Sequence, residues 1–266
     1  MSIRFRTLLS SSSGNCILIQ TEETSLLVDC GFRSQRECKA ALNDVLEEPS
    51  NTSGVVVTHN HCDHISYSAL RVLEHNNVPV YVYEGSTAQL KEKHYKNHPF
   101  KYLDLRTFEN DSFTVNDLNI LPVEIPHHPR MSTFAFVITH KGSVKEYKIL
   151  IAADFTDGAA LAGHLSDADM IYIESNHCKE LLRIFPNFNS FYHMNNPSTA
   201  RLLAETIGRR ETPPQMVMLG HLSNQRNEPE RALNEIKQAF EQAGSEINFK
   251  VEVAPKFAPS VEIKIA

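Results

Sequence analysis

Tryptophan is absent from the 266-residue chain, and cysteine is sparse at five residues. Cys16, Cys30, Cys38, Cys62 and Cys178 are scattered and odd in number, without the paired spacing of a disulfide framework. That usage suits a reducing compartment, and a cytoplasmic protein is expected. Long apolar runs are also missing. No stretch approaches the ~18 apolar residues of a spanning helix, so no membrane segment is expected. At the N-terminus Arg4 and Arg6 interrupt Ile3 and Phe5, so no long apolar centre is present there and no signal peptide is expected. There is no internal repeat of solenoid period. No linker rich in glycine, serine or proline cuts the chain, so residues 1–266 are read as one domain. Positive charge is in deficit. Lys and Arg number 26 against 32 Asp and Glu, a formal net charge of −6, which excludes a uniformly basic nucleic-acid coat but not a local basic groove.

What is present is ordinary globular material, 41% hydrophobic and 22% charged, on a chain long enough for a large core. The 13 histidines are numerous and clustered. Val55, Val56 and Val57 run directly into His59, His61, Asp63 and His64. A short valine run bounded by turn residues predicts a buried strand, and a strand ending in ligands delivers them to the rim of a sheet. Imidazole and carboxylate suit zinc, manganese or iron. Four ligands so close together exceed what one tetrahedral ion takes from a short loop, which points to two ions. A histidine-rich surface loop would leave the preceding strand and the spacing unexplained.

The same event recurs along the chain. Alternation predicts strands over residues 3–8, 16–20, 25–29, 78–83, 118–125, 133–140, 146–152, 170–174, 216–219, 248–254 and 261–265, with a turn over 10–15. Helical spacing predicts helices over 34–46, with Ser34 as N-cap, and over 66–76, 85–96, 197–207 and 228–243. Several strands end in His or Asp, as active sites in layered α/β folds often require. His177 and His193 lie at or near such ends and are candidate phosphate ligands or general acids. Ser12, Ser13 and Asn15 sit in a turn that suits donation to a phosphate. His75, His94, His98, His140 and His164 lack the strand-end context and are read as surface residues. Cys62 is read as a non-ligand. Lys91, Lys93, Lys96 and Lys101 are read as a solvated face, with a nucleic-acid track as the sharper alternative.

The run from Val55 to His64 resembles the His-x-His-x-Asp-His signature of the metallo-β-lactamase fold superfamily. The resemblance implies an α/β, four-layer αβ/βα sandwich with two mixed sheets. It also implies three more ligands. Asp154, after Ile151, Ala152 and Ala153, matches the bridging aspartate, and His221, after Leu219 and Gly220, matches the last histidine. The third is His127 or His128. Val123 and Ile125 alternate, and His127 keeps their parity; a bulge at Pro126 would exchange the two. The implied sets are His59, His61 and His127 for one ion, and Asp63, His64 and His221 for the other, with Asp154 between them.

More of the chain resembles the YycJ-like (WalJ) exonuclease-type branch. The residues are Leu9 to Asn15, Leu26 to Gly31, Ile173 to His177, and Leu219 to Ser223 with Asn227 and Pro229. Cys62, His128 and the Phe155–Thr156 pair depart from that branch's pattern, which bears on the substrate. The branch implies a dinuclear metal-dependent hydrolase, zinc first among the ions, that cleaves phosphodiester bonds in DNA or RNA. Asp63 would orient the nucleophile, His177 and His193 would act in catalysis, and Asn176 and His128 would reach the substrate. A hydrolase of a cyclic nucleotide, lactone or thioester is the second expectation. A binding module that kept the fold is the third, and the complete ligand set argues against it.

Overall fold

The computed structural model describes residues 2–95, 98–143 and 145–265. Strands β1 (Ile3–Ser11), β2 (Gly14–Gln20), β3 (Ser25–Val28), β4 (Gly54–Val56), β5 (Val80–Tyr83) and β6 (Leu105–Phe108) come first. They are followed by β7 (Phe113–Val115), β8 (Leu118–Ile125), β9 (Thr133–Lys141), β10 (Glu146–Ala152), β11 (Met170–Glu174), β12 (Met216–Gly220), β13 (Lys250–Val253) and β14 (Ile263–Ile265). The helices are α1 (Gln35–Leu46), α2 (Tyr67–His75), α3 (Thr87–His94), α4 (Ala162–Leu165), α5 (Lys179–Ile184), α6 (Asn196–Ile207) and α7 (Pro229–Gln242). Among the described residues the strands form two seven-stranded sheets, ordered β14-β1-β2-β3-β4-β5-β6 and β13-β12-β11-β10-β9-β8-β7. Each is mixed: β1, β2 and β3 pair antiparallel, as do β7 through β10, and the strands from β3 to β6 and from β10 to β13 pair parallel.

Consecutive side chains of a strand face opposite layers, and the three valines show it. Val56 joins Phe5 and Val28 against Phe134, Ile151 and Met218 between the sheets. Val55 and Val57 pack outward with Leu42, Leu70 and Leu73 of α1 and α2. On the far side, Ile171 and Val217 meet Ala200, Leu203 and Phe240 of α6 and α7. The result is the expected four-layer sandwich. Ser34 and Ser66 cap α1 and α2, accepting from the Glu37 and Ala69 amides.

Several expectations change. Ser10 and Ser11 continue β1, because they pair with Asn15 and Gly14, so the turn shrinks to Ser12 and Ser13. β6 and β7 carry no strong pattern in the sequence, since each is a short edge strand with polar outward positions. The helix expected over 85–96 is a 3-10 turn followed by α3, and Lys96 lies outside the described residues. His94 and His140 are buried, not superficial. His94 stands one turn beyond Leu90 on the buried face of α3, where burial holds it down at about 4. The His140 ring faces Asp117 Oδ2 at 3.4 Å. All five cysteines are free. No described helix is long and apolar enough to cross a membrane.

The carboxyl ends of the parallel strands of both sheets meet at one rim. A bridge between Ser11 and Leu222 joins the sheets there, and Ser10 Oγ accepts from the His221 amide at 2.9 Å. Gly31 lets the chain pass under the histidine loop: a Cβ at this position would lie 1.8 Å from the Asp63 carbonyl oxygen. Gly31→Ala is therefore expected to destabilise the fold by roughly 2–3 kcal/mol, measured as the shift of the urea midpoint. An unchanged midpoint would mean that the loop yields freely.

Candidate metal centre

The rim gathers side chains from six strand ends into a cavity of about 590 Å³. His59, His61, Asp63 and His64 follow β4, His127 follows β8, Asp154 follows β10 and His221 follows β12. Asp154 is the centre. Its Oδ2 lies 3.5 Å from His59 Nε2, 3.6 Å from His127 Nε2 and 3.4 Å from His64 Nε2. His61 Nδ1 stands 2.9 Å from His59 Nε2 and 3.4 Å from His127 Nε2. On the other side His221 Nδ1 is 2.7 Å from Asp154 Oδ1, and Asp63 Oδ2 lies 3.5 Å from His221 Nε2 and 3.7 Å from His64 Nε2.

Three groups of four donor atoms result among the described residues, each within 4.8 Å of one another: His59, His61, His127 and Asp154; Asp63, His64, Asp154 and His221; and Asp154, Glu174, His193 and His221, which overlaps the second. The atoms are imidazole nitrogens and carboxylate oxygens, the set that suits zinc, manganese or iron. Buried His221 Nε2 makes no hydrogen bond. A cation would satisfy it, and the residues present fit one on each side of Asp154.

The electrostatics divide along the same line. Burial, reinforced by the neighbouring imidazoles, pushes His59 far below its ordinary value and His61 down to about 4, and burial also lowers His127. The shifts favour the neutral imidazoles that metal binding requires. Burial acts the same way on His64 and His221, but the carboxylates around them together outweigh it and raise both: Asp154 first, with Asp29 and Asp63 beside His64 and with Asp63 and Glu174 beside His221. Asp154 would be raised by burial, and His221 and His64 instead hold it well down. Protons on these histidines thus balance the carboxylates, in positions a cation would take over.

Two carboxylates outside the expected set orient the histidines. Asp29, at the end of β3, accepts from His64 Nδ1 at 2.6 Å and from the Thr58 amide at 2.8 Å. Glu174, at the end of β11 and fully buried, accepts from His193 Nδ1 at 2.7 Å and His221 Nδ1 at 2.9 Å. Its second oxygen accepts from the amides of Phe155 and Met194. Burial would raise Glu174, and His193 beside it holds it down at about 2. Both acids close an apolar run, as Asp154 does, and that strand-end position was the signal that could have found them.

The remaining expected residues divide. His193, Asn176, His128 and Ser12 line the cavity with Tyr192 and Arg226. Of the two adjacent histidines, His127 lies in the donor cluster, and His128 stands on the cavity wall with its ring tilted against that of Tyr192. Asn15 and Ser13, expected at the substrate, do not line the cavity. The buried Asn15 amide donates to the Ser11 and Asp63 carbonyls and lies 3.1 Å from His64 Nε2, so it stands behind the donor cluster rather than on the cavity wall. Ser13 Oγ accepts from Asn224. His177 is also absent from the wall: it follows Asn176, which lines the cavity and donates its side-chain amide to the His221 carbonyl, and it is itself buried with a backbone bridge to Asn195. Cys62 is exposed and belongs to none of the donor groups. Lys93, expected on a solvated face, reaches the wall and donates to the Asn60 carbonyl at 2.6 Å.

The sequence profile of the metallo-beta-lactamase superfamily matches residues 11–179. The exodeoxyribonuclease WalJ of Streptococcus pneumoniae is 25% identical over 284 aligned positions, covering 99% of this chain and 99% of its own. The exodeoxyribonuclease YycJ of Bacillus anthracis is 29% identical over 271 positions, with 95% of each chain covered. Among solved structures, the metallo-beta-lactamase fold protein YhfI of Bacillus subtilis superposes with a TM-score of 0.71 at 18% identity, covering 99% of this chain and 100% of its own.

Outer partners of metal-binding histidines commonly contribute 10- to 100-fold in affinity. Asp29→Asn, which weakens the acceptor for His64 Nδ1, is expected to lower the affinity for divalent metal by about 10- to 100-fold, read by chelator competition. An affinity unchanged by the substitution would remove Asp29 from the site.

Proposed function

The chain belongs to the metallo-beta-lactamase superfamily, and on that premise we propose that it is a dinuclear metal-dependent phosphodiesterase that degrades nucleic acid from an end. The observation that carries this reading is the Asp154 carboxylate, shared between two donor groups on the wall of an open cavity. Two relatives named exodeoxyribonuclease that align over nearly the whole chain support it. His59, His61 and His127 with Asp154 would hold one divalent cation, and Asp63, His64 and His221 with the same Asp154 would hold the second. Zinc is the first expectation, with manganese or iron as alternatives. Bound cations there supply Lewis acidity toward phosphate oxygens and an activated water.

The chain's own residues do the rest. Asp29 and Glu174 fix the orientation of His64, His193 and His221. Asp63, partly exposed at the wall, is the residue proposed to orient the nucleophile. His193 is the proposed proton donor to the departing oxygen, since Glu174 holds its Nδ1 and leaves Nε2 for the substrate. Ser12, Asn176, His128 and Arg226 line the space a phosphodiester would occupy. Residues 1–266 are read as one domain, because both sheets furnish the site, and five free thiols fit a cytoplasmic location.

The test incubates metal-loaded protein with end-labelled single- and double-stranded DNA and RNA and with cyclic nucleotides. Shortened polymers that vanish with Asp63→Ala and with His64→Ala are expected. Cleavage of cyclic nucleotides alone would contradict the reading. For the proton donor, His193→Ala is expected to slow oligonucleotide cleavage by about 10²- to 10⁴-fold, and bis(p-nitrophenyl) phosphate far less, because nitrophenolate leaves without a proton. Equal losses on both substrates would exclude that role.

A further inference from the structure

Seven large hydrophobic side chains are exposed among the described residues, and four of them lie in one short segment: Ile184 at 65%, Phe185 at 49%, Phe188 at 70% and Phe191 at 74%. A soluble surface rarely gathers apolar groups this way without a partner. The segment runs from the end of α5 through a 3-10 turn, Phe188–Tyr192, and its Asn187, Asn189, Ser190 and Tyr192 line the catalytic cavity. The rings form a continuous line into that cavity. Phe191 and Phe188 lie 5.6 Å apart, Phe188 and Tyr192 6.0 Å, and Tyr192 and His128 4.8 Å, centroid to centroid.

We infer that this segment is a stacking platform for the bases of a single-stranded polynucleotide end whose backbone enters the metal centre. The inference rests on the phosphodiesterase reading and names the substrate form it takes. The exposed groups are mostly aromatic, and asparagines and a serine alternate with them, as suits base faces with polar edges rather than an aliphatic lipid or a dry protein interface. Charge agrees. Lys179 and Arg183 are exposed on α5, Arg226 lines the cavity, and the segment's only carboxylate, Glu180, is held by Arg231 at 2.7 Å. The platform is also tied to the centre: the Tyr192 carbonyl accepts from His127 Nδ1 at 2.7 Å, and the Phe185 carbonyl from Arg226 Nε at 2.6 Å. Stacking needs unpaired bases, so a blunt duplex cannot use these rings.

The experiment measures binding of metal-loaded protein to phosphorothioate-blocked single strands of DNA and of RNA, to an abasic strand of equal length, and to a blunt duplex. The wild type is expected to prefer base-bearing strands over the abasic strand by about 10-fold or more, and Phe188→Ala/Phe191→Ala to lose most of that preference. Because the chain lacks tryptophan, Phe188→Trp introduces a single reporter that keeps an aromatic face. Its emission is expected to fall on binding base-bearing strands and not the abasic one. A preference shown for one sugar identifies the polymer and supports the platform. A wild-type ratio near one, a ratio unchanged in the double variant, or substitutions that shift only a monomer–dimer equilibrium would overturn it. Wild-type hydrolysis of bis(p-nitrophenyl) phosphate separates the two claims. If it is present without base preference, the platform alone falls; if neither it nor oligonucleotide cleavage is seen, both fall.

Discussion

One buried carboxylate organises this molecule. Asp154 is almost wholly enclosed, sits at a φ of 53°, and places its two oxygens among the imidazoles of His59, His64, His127 and His221. Burying a lone carboxylate costs several kcal/mol, and a left-handed backbone adds to that. Such an arrangement persists only where the surroundings compensate, and here they are cationic or metal-seeking. Asp29 and His221, at φ values of 61° and 52°, share the same backbone state at the ends of β3 and β12. Of the six non-glycine residues with positive φ among the described residues, these three lie at the rim where the chemistry is proposed.

The fold is what makes this sharing possible. Neither sheet holds the full donor set: β4 of the first delivers the histidine loop, and β8, β10 and β12 of the second deliver His127, Asp154 and His221. The inner faces pack as one apolar layer, so the two rims are held in fixed register. Each sheet also contributes an orienting acid, Asp29 from β3 and Glu174 from β11. The site is thus nearly symmetrical in construction, with one carboxylate behind each flank and a third between them.

Much of this was legible in the sequence because it is local. The valine run and the four ligands after it are contiguous, and strand parity favours His127 over His128. What was not legible depends on partners distant in sequence. Asp29 and Glu174 are single acids at the ends of apolar strands, and only the fold brings them to His64, His193 and His221. His177 shares a motif with Asn176 but, one position on, leaves the cavity to its neighbour. The Asn15 amide reaches the Asp63 carbonyl, which lies outside its hairpin. His140 is buried through Asp117, which its own strand does not contain.

The central claim is that Asp154 serves both halves of the site at once. The most direct measurement is the number of divalent ions bound per chain, by equilibrium dialysis and elemental analysis, in the wild type and in Asp154→Asn with the fold verified by circular dichroism. The account predicts two ions in the wild type and weakened binding of both in the variant, since the amide removes a shared charge. A variant that keeps one ion at wild-type affinity and loses only the other would contradict a bridging carboxylate.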